Sequence, residues 1–364
     1  MAHTGHTRIR SNASKLKGDI GESGEKFRYS LHDDDVTVAE VLKSAGYTTG
    51  MTGKWGLGES QSTGQPNRQG YDQWFGYLNQ DTAKQYYPQF LWLNKEKFDL
   101  VGNLDGRREQ YSHDLMTGFA MNFIRANKER PFFLYVPFTI PHEKHEVPDF
   151  GQYADKSWPD GAKAYASMVT RMDADVGRIV SLVDSLNLAE RTLIFFTSDN
   201  GGPAPFDSIF HDNGILKGKK GGMYEGGIRV PMIARWTGHV PNGQTSDAPW
   251  YFADFLPTAA DLAGAKMPAN IDGVSVLPTL LGQKQNLSDR FLYWEIHPNF
   301  RQAVRWRNWK GVRNGLKTTL ELYDLSADPS ESKDVASTNP QVAAEITKYL
   351  STARTESDAY VVDR

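Results

Sequence analysis

Two uninterrupted apolar runs, 131–138 (PFFLYVPF) and 192–197 (TLIFFT), each following an amphipathic helical stretch, constrain this chain more than any other feature. An apolar run without polar alternation suits a strand covered on both faces. The helical stretch before the first run spans 111–125, with Leu115, Phe119 and Phe123 four apart. The one before the second spans 162–186, and its apolar stripe is Tyr165, Met168, Val169, Met172, Val176, Ile179, Val180 and Val183. Helix, strand, helix, strand is the rhythm of an α/β fold, a mostly parallel sheet sandwiched by helices. In such sheets ligands collect beyond the carboxyl ends of the strands. Polar residues immediately after an apolar strand are therefore the site candidates: Lys54, His142, Asp199 and Asn200.

The remaining elements fit this frame. A helix is expected over 37–45, because Thr37 and Glu40 form a capping box and Gly46 suits the position after the last turn. A strand over 48–52 then delivers Gly53-Lys54-Trp55-Gly56-Leu57-Gly58 as a loop. Residues 60–108, rich in Gly, Asn, Gln and aromatics, show little periodicity and read as a long surface excursion. A further strand is expected over 228–236, and a further helix over 250–262, closed by Gly264. Beyond about residue 285 the segments become short and aromatic (FLYWEI, QAVRWRNWKGV, LELYDL), ending in a helix near 340–356. This division predicts a main domain over 1–285 and a small antiparallel α+β subdomain over 286–364.

Bulk properties exclude several functions. The net charge of −3 leaves no basic surplus for neutralising phosphates, which argues against a nucleic-acid partner. With no cysteine, the chain has no disulfide, thiolate–zinc site or thiol nucleophile. No apolar run approaches the ~20 residues that a membrane-spanning helix needs.

Four motifs carry possible chemistry. Asp199-Asn200-Gly201 offers two hard oxygen donors at a strand end, suited to Ca²⁺ or Mg²⁺, although on the motif alone an Asx-type turn capped by glycine is the favoured reading. Gly53-Lys54-Trp55 is no phosphate loop, since Thr48 and Trp55 stand where that motif needs Gly and Ser/Thr. Lys54 still suits an anion contact. Pro141-His142-Glu143-Lys144-His145 falls one residue short of H-E-x-x-H, and Pro141 and Pro148 oppose a continuous helix, so zinc is not expected. Lys217-Gly218-Lys219-Lys220-Gly221-Gly222 suits anion binding by charge and backbone amides, or a flexible basic loop.

In order and wording these motifs resemble the sulfatase family of the alkaline-phosphatase-like superfamily. The resemblance is carried by Ala45-Gly46-Tyr47-Thr48-Thr49 through Gly58, Pro141-His142, Ser198-Asp199-Asn200-Gly201, Tyr224-Glu225-Gly226-Gly227-Ile228-Arg229-Val230-Pro231 and Leu322-Tyr323-Asp324-Leu325. His3-Thr4-Gly5-His6 is similar to the segment after the family's first signature. The resemblance implies a sulfuric ester hydrolase with one Ca²⁺, of whose ligands Asp199 and Asn200 match two. It implies that Lys54 touches sulfate, that His142 lies on the ester oxygens, and that Lys220 lies near the leaving group. A sulfated sugar or aryl sulfate is the implied substrate, and a periplasmic or secreted location is expected. Aromatics in 60–108 (Tyr71, Trp74, Phe75, Tyr77, Tyr86, Tyr87, Trp92) either stack on sugar faces or pack the excursion down. His211 and Arg68 are loop candidates for substrate contact.

Two departures stand out. Many relatives have a histidine after Gly-Lys-Trp where this chain has Gly56. The family's paired aspartates and its Cys/Ser-x-Pro-x-Arg nucleophile motif do not occur in the 364 residues, and Asp33-Asp34-Asp35 does not follow an apolar strand. The sequence is accordingly expected to be an N-terminally shortened sulfatase with half of the calcium site. A non-catalytic anion-binding relative and a phosphoester hydrolase of the same superfamily are the alternatives.

Overall fold

The computed structural model describes residues 30–31, 33, 35–296 and 300–354. The His3–His6 segment and Asp34 lie outside the described residues. The order of the main elements is α1 (Val38–Ser44), β1 (Thr48–Lys54), β2 (Gln73–Tyr77), β3 (Phe90–Leu93), β4 (Glu96–Asp99), α2 (Ser112–Asn127), β5 (Phe132–Tyr135), α3 (Asp160–Ser185), β6 (Ile194–Thr197), α4 (Asp207–Phe210), α5 (Glu225–Ile228), β7 (Met232–Arg235), α6 (Phe255–Ala263), α7 (Leu277–Leu280), β8 (Phe291–Ile296), β9 (Arg301–Trp306), β10 (Trp309–Arg313), β11 (Glu321–Asp324) and α8 (Pro340–Leu350).

The expected capping box at α1 is present in both directions. The Thr37 hydroxyl accepts the Glu40 amide at 3.2 Å, and the Thr37 amide donates to the Glu40 carboxylate at 2.8 Å. The apolar face of α1 (Val38, Val41, Leu42) buries against Leu256 and Ala260 of α6.

The main sheet has the strand order β4-β3-β2-β1-β5. β1 runs parallel to β2 and β5, whereas β3 and β4 are antiparallel additions. The sheet is thus mixed, and residues 60–108 are no surface excursion, because they supply three of its five strands. These strands are four or five residues long, and β2 is buried at four consecutive positions, so no alternation was there to be read. The aromatics Tyr71, Trp74, Phe75, Tyr77 and Tyr86 are buried core, and Trp92 packs against that core. That decides for packing over sugar stacking at these positions.

Among the described residues β6 pairs only with β7, antiparallel, and β5 only with β1. The two strand groups nevertheless share their helical layers. Phe255 of α6 touches both Phe133 of β5 and Phe195 of β6, with ring centroids 6.2 and 5.6 Å apart. From α3, Leu182 and Val183 join Phe132, Leu134 and Ile194 in one cluster. The apolar runs of β5 and β6, expected to be covered on both faces, are mostly half-buried instead. Helices alone do not cover a strand whose outer edge has no paired neighbour.

The C-terminal residues form a four-stranded antiparallel sheet, β11-β10-β9-β8, against which α8 packs Ile346 and Leu350. Its other face shares a cluster with Met223, Tyr224 and Ile228, the segment that follows the lysine-rich loop. No helix among the described residues is long and apolar enough to cross a membrane.

Candidate active site

Lys54 is the last residue of β1 and is held from both sides. Its amide donates to Pro137 O at 3.0 Å, just beyond β5, while the next amide, of Trp55, donates to Tyr77 O at 2.9 Å. The preceding Gly53 has φ +135°, and a Cβ there would collide with the Pro137 carbonyl, so only glycine lets β1 lie this close. Burial lowers the Lys54 pKa below its ordinary value; Asp199 works against this, whereas Lys220 and Lys84 add to it. Charges from three other loops therefore reach the Lys54 ammonium.

His142 follows β5 through a turn closed by His142 N donating to Thr139 O at 3.0 Å. Its Nδ1 lies 2.7 Å from Glu143 O. A carbonyl only accepts, so Nδ1 carries the hydrogen and Nε2 is the nitrogen left for a substrate. The Tyr86 hydroxyl braces this turn, donating to His142 O at 2.7 Å and lying 3.2 Å from Thr139 O. Burial pushes the His142 pKa down, its bond to Glu143 O and the Glu143 charge oppose this, and Lys220 and Lys54 depress it further.

Asp199 and Asn200 follow β6. The Tyr135 hydroxyl at the end of β5 is pushed up to about 12, by burial first and then by the Asp199 charge, so that charge is felt at the end of β5. The Ser198 hydroxyl donates to Asn200 O at 3.0 Å, and the Asn200 side-chain nitrogen donates to Gly201 O at 3.0 Å, leaving its amide oxygen available. Lys220 is stitched to this strand end: its amide donates to Gly202 O at 3.0 Å, and Asn213 exchanges two bonds with Gly202 at 2.8 and 3.1 Å. Lys217 is turned to a structural task. It donates to the Tyr323 hydroxyl at 3.2 Å and to Glu331 O at 3.1 Å, and lies 4.1 Å above the Tyr224 ring.

As a cation site, Asp199 and Asn200 offer the hard oxygens that Ca²⁺ prefers, but Ca²⁺ takes ~6–8 of them. Among the described residues no group of three or more carboxylate or histidine side chains completes a metal site. The pair fits part of a calcium site and does not make one alone.

The structure thus brings Lys54, His142, Asp199 and Lys220 together. His211 lies on the loop that joins Asp199 to Lys220, exposed and with φ +50°. Arg68, in a turn after β1, is paired at 3.3 Å with Asp33. Sequence reasoning missed Lys84, whose charge acts on Lys54; a lone lysine in an aperiodic segment carries no signal of its neighbours.

The two shifted cations make a pH prediction. An anion favours the charged form of both, and both pKa values are lowered from their ordinary 10.5 and 6.5. Sulfate affinity is therefore expected to fall twice as pH rises. The first loss, below pH 6.5, comes as His142 loses its proton; the second, beginning below pH 10.5, comes as Lys54 does. Calorimetric titration with sulfate across that range checks this, and an affinity that rises with pH would contradict it.

Two lysines, a histidine and a carboxylate whose charges act on one another at the ends of α/β strands suit an anionic ligand. The Sulfatase family profile matches residues 5–265, and the chain belongs to that family, the sulfuric ester hydrolases. A second profile, described as N-sulphoglucosamine sulphohydrolase, C-terminal, matches residues 218–356. Human arylsulfatase A is 31% identical over 92% of this chain and 74% of its own length. N-acetylgalactosamine-6-sulfatase from Rattus norvegicus is 33% identical over 77% of this chain and 56% of its own length. The crystal structure of Ps i-CgsB in complex with k-i-k-neocarrahexaose superposes with a TM-score of 0.81 at 28% identity, covering 97% of this chain and 80% of that one. The alkaline-phosphatase-like fold expected from the motifs is shared with these solved sulfatases.

Proposed function

We propose that this site binds the sulfate ester of a sulfated carbohydrate and serves the anion and leaving-group side of its hydrolysis. The observation that carries the reading is the convergence of Lys54, His142, Lys220 and Asp199 at the carboxyl ends of β1, β5 and β6. A sulfate monoester carries one negative charge, and cleavage of its S–O bond shifts negative charge onto the leaving oxygen. Fixed cations aimed there stabilise the transition state more than the ground state. Lys54, half-desolvated at the end of a buried strand, meets the sulfate oxygens. His142 presents Nε2, and a bound anion favours its protonation, after which it donates to the ester oxygen. Lys220, on its exposed loop, stands at the departing alcohol, with His211 and Arg68 as outer substrate contacts. Calcium would neutralise a further part of the sulfate charge, with Asp199 and Asn200 among its ligands.

Three supports favour a carbohydrate. N-acetylgalactosamine-6-sulfatases are among the relatives, and a neocarrahexaose complex is among the neighbours. Half-buried rings also border the site: His145 lies 5.3 Å from Tyr165 and 5.5 Å from Phe206, and Phe210 continues them to Trp158 at 5.1 Å. The test compares sulfated and desulfated galactose oligosaccharides, and 4-nitrophenyl sulfate and phosphate, by calorimetric binding and by release of sulfate or phosphate. Binding that requires the sulfate group, with sulfate favoured over phosphate, supports the proposal. Equal binding of the desulfated sugar, or a preference for the phosphate ester, would overturn it.

A further inference from the structure

Gly56 stands two residues after Lys54 and has no side chain, yet the space beside it is filled. Its φ is +77°, and a Cβ there would collide with the side-chain nitrogen of Gln80, which also lies 3.4 Å from Gly56 O. Gln80 belongs to a turn just after β2 that is rigidly built. The Asn79 side-chain oxygen accepts from the amides of Asp81 and Thr82 at 3.1 and 3.0 Å, and from the Thr82 hydroxyl at 3.0 Å. The short helix that follows, Thr82–Lys84, ends in Lys84, whose ammonium lies 3.5 Å from the Glu143 carboxylate. Glu143 is the residue whose carbonyl holds His142. Two positions on, Tyr86 braces the same turn. One stretch of eight residues therefore borders both the Lys54 loop and the His142 loop.

We propose that Lys84 is an anion-binding residue of this site, a third lysine beside Lys54 and Lys220 that contacts a sulfate group of the substrate, with Gln80 filling the place that Gly56 leaves open. The inference rests on the reading of the site as a sulfate-ester site. Its geometry suits that role. The Lys84–Glu143 pair is solvent-exposed, with side chains 41% and 68% accessible, and such pairs contribute little, so Lys84 exchanges this partner cheaply for a bound anion. The Lys84 charge is also felt at Lys54. Carried on a turn pinned by Asn79, the Lys84 charge adds to that of Lys54 in the field an anion would meet.

Calorimetry with inorganic sulfate and with a sulfated galactose oligosaccharide tests this on the wild-type chain, Lys84→Met and Glu143→Gln. Lys84→Met is expected to weaken binding of the sulfated ligand about tenfold, the scale of one charge-assisted contact. Glu143→Gln breaks the same ion pair but keeps the lysine, and is expected to tighten binding. If inorganic sulfate shows the Lys84→Met loss as fully as the oligosaccharide does, Lys84 meets the sulfate at Lys54; if the oligosaccharide alone shows it, Lys84 meets a second sulfate group. Unchanged affinity in Lys84→Met would overturn the inference. So would equal losses in the two variants, since Lys84 would then only brace the His142 turn. No sulfate binding by the wild-type chain would instead defeat the sulfate-ester reading itself.

Discussion

Replacing Lys310 with methionine is expected to destabilise the fold by about 3–5 kcal/mol, the cost of leaving buried charge without its partner. Lys310 sits on β10 with 0% of its side chain exposed. Its ammonium lies 2.7 Å from one oxygen of Glu225 and 3.5 Å from Glu331, and both carboxylates are buried. Glu331 also accepts the Glu225 amide at 2.6 Å. Arg229 and Arg305 reach Glu225 only at 3.7 and 3.9 Å. Burial alone would raise both acids. At Glu225 the lysine and the two arginines outweigh burial and hold the pKa below its ordinary value, whereas Glu331 stays raised.

Methionine fills the volume but leaves two buried carboxylates competing for distant arginines. The deficit should shrink as pH falls towards about 5, because protonation then relieves the uncompensated charge. Adding Glu331→Gln should recover part of it. Urea unfolding of the single and double variants measures both effects, and a loss below about 1 kcal/mol for Lys310→Met would show that the cluster is not the clamp its geometry indicates. The effect should extend to the site. Glu225 opens the helix α5 behind the lysine loop, and Lys217 anchors that loop to Glu331 O and Tyr323.

Lys54→Met is expected to act in opposite directions on binding and stability. Removing the ammonium deletes a charge-assisted contact to sulfate, worth about 1.5–3 kcal/mol, and so weakens sulfate binding about 10–100-fold. The same change replaces a burial-disfavoured charge by an apolar chain of similar length. The unliganded fold should therefore gain slightly in melting temperature, as is usual where function holds a charge against its solvation preference. Lys54→Arg keeps the charge, but its planar fork of donors does not reproduce the compact ammonium, so only part of the affinity should return. Paired melting curves and sulfate titrations check this. A variant that loses both affinity and stability would mean that Lys54 is a packing residue first.

The site was legible where a motif abuts an apolar strand. Lys54, His142, Asp199 and Asn200 are the polar residues that follow apolar runs, and the charge of Asp199 reaches Lys54 while that of Lys54 reaches His142. Lys220 rested on the wording of its loop. Lys84 and Gln80 were illegible because the strands around them are short, and β2 is buried at four consecutive positions, so their segment showed no period. The aromatics of 60–108 illustrate the same limit: composition cannot tell a ring that stacks on a sugar from one that fills the core. Lys310 is the sharpest case, since Trp309-Lys310-Gly311 reads as an ordinary exposed strand position.

By itself the sequence determined the helices and strands with clear periodicity, the family, and the strand ends at which charge would gather. These depend on residues within a turn or two of one another, where side-chain spacing alone decides which face is apolar. Only the tertiary structure decided that the sheet is mixed, that the lysine loop is clamped by a sheet 85 residues further along the chain, and that the Lys84 charge is felt at Lys54. Those outcomes depend on which faces meet. Periodicity shows that a face must be covered, but the partner that covers it is chosen by packing and charge compensation across the whole fold.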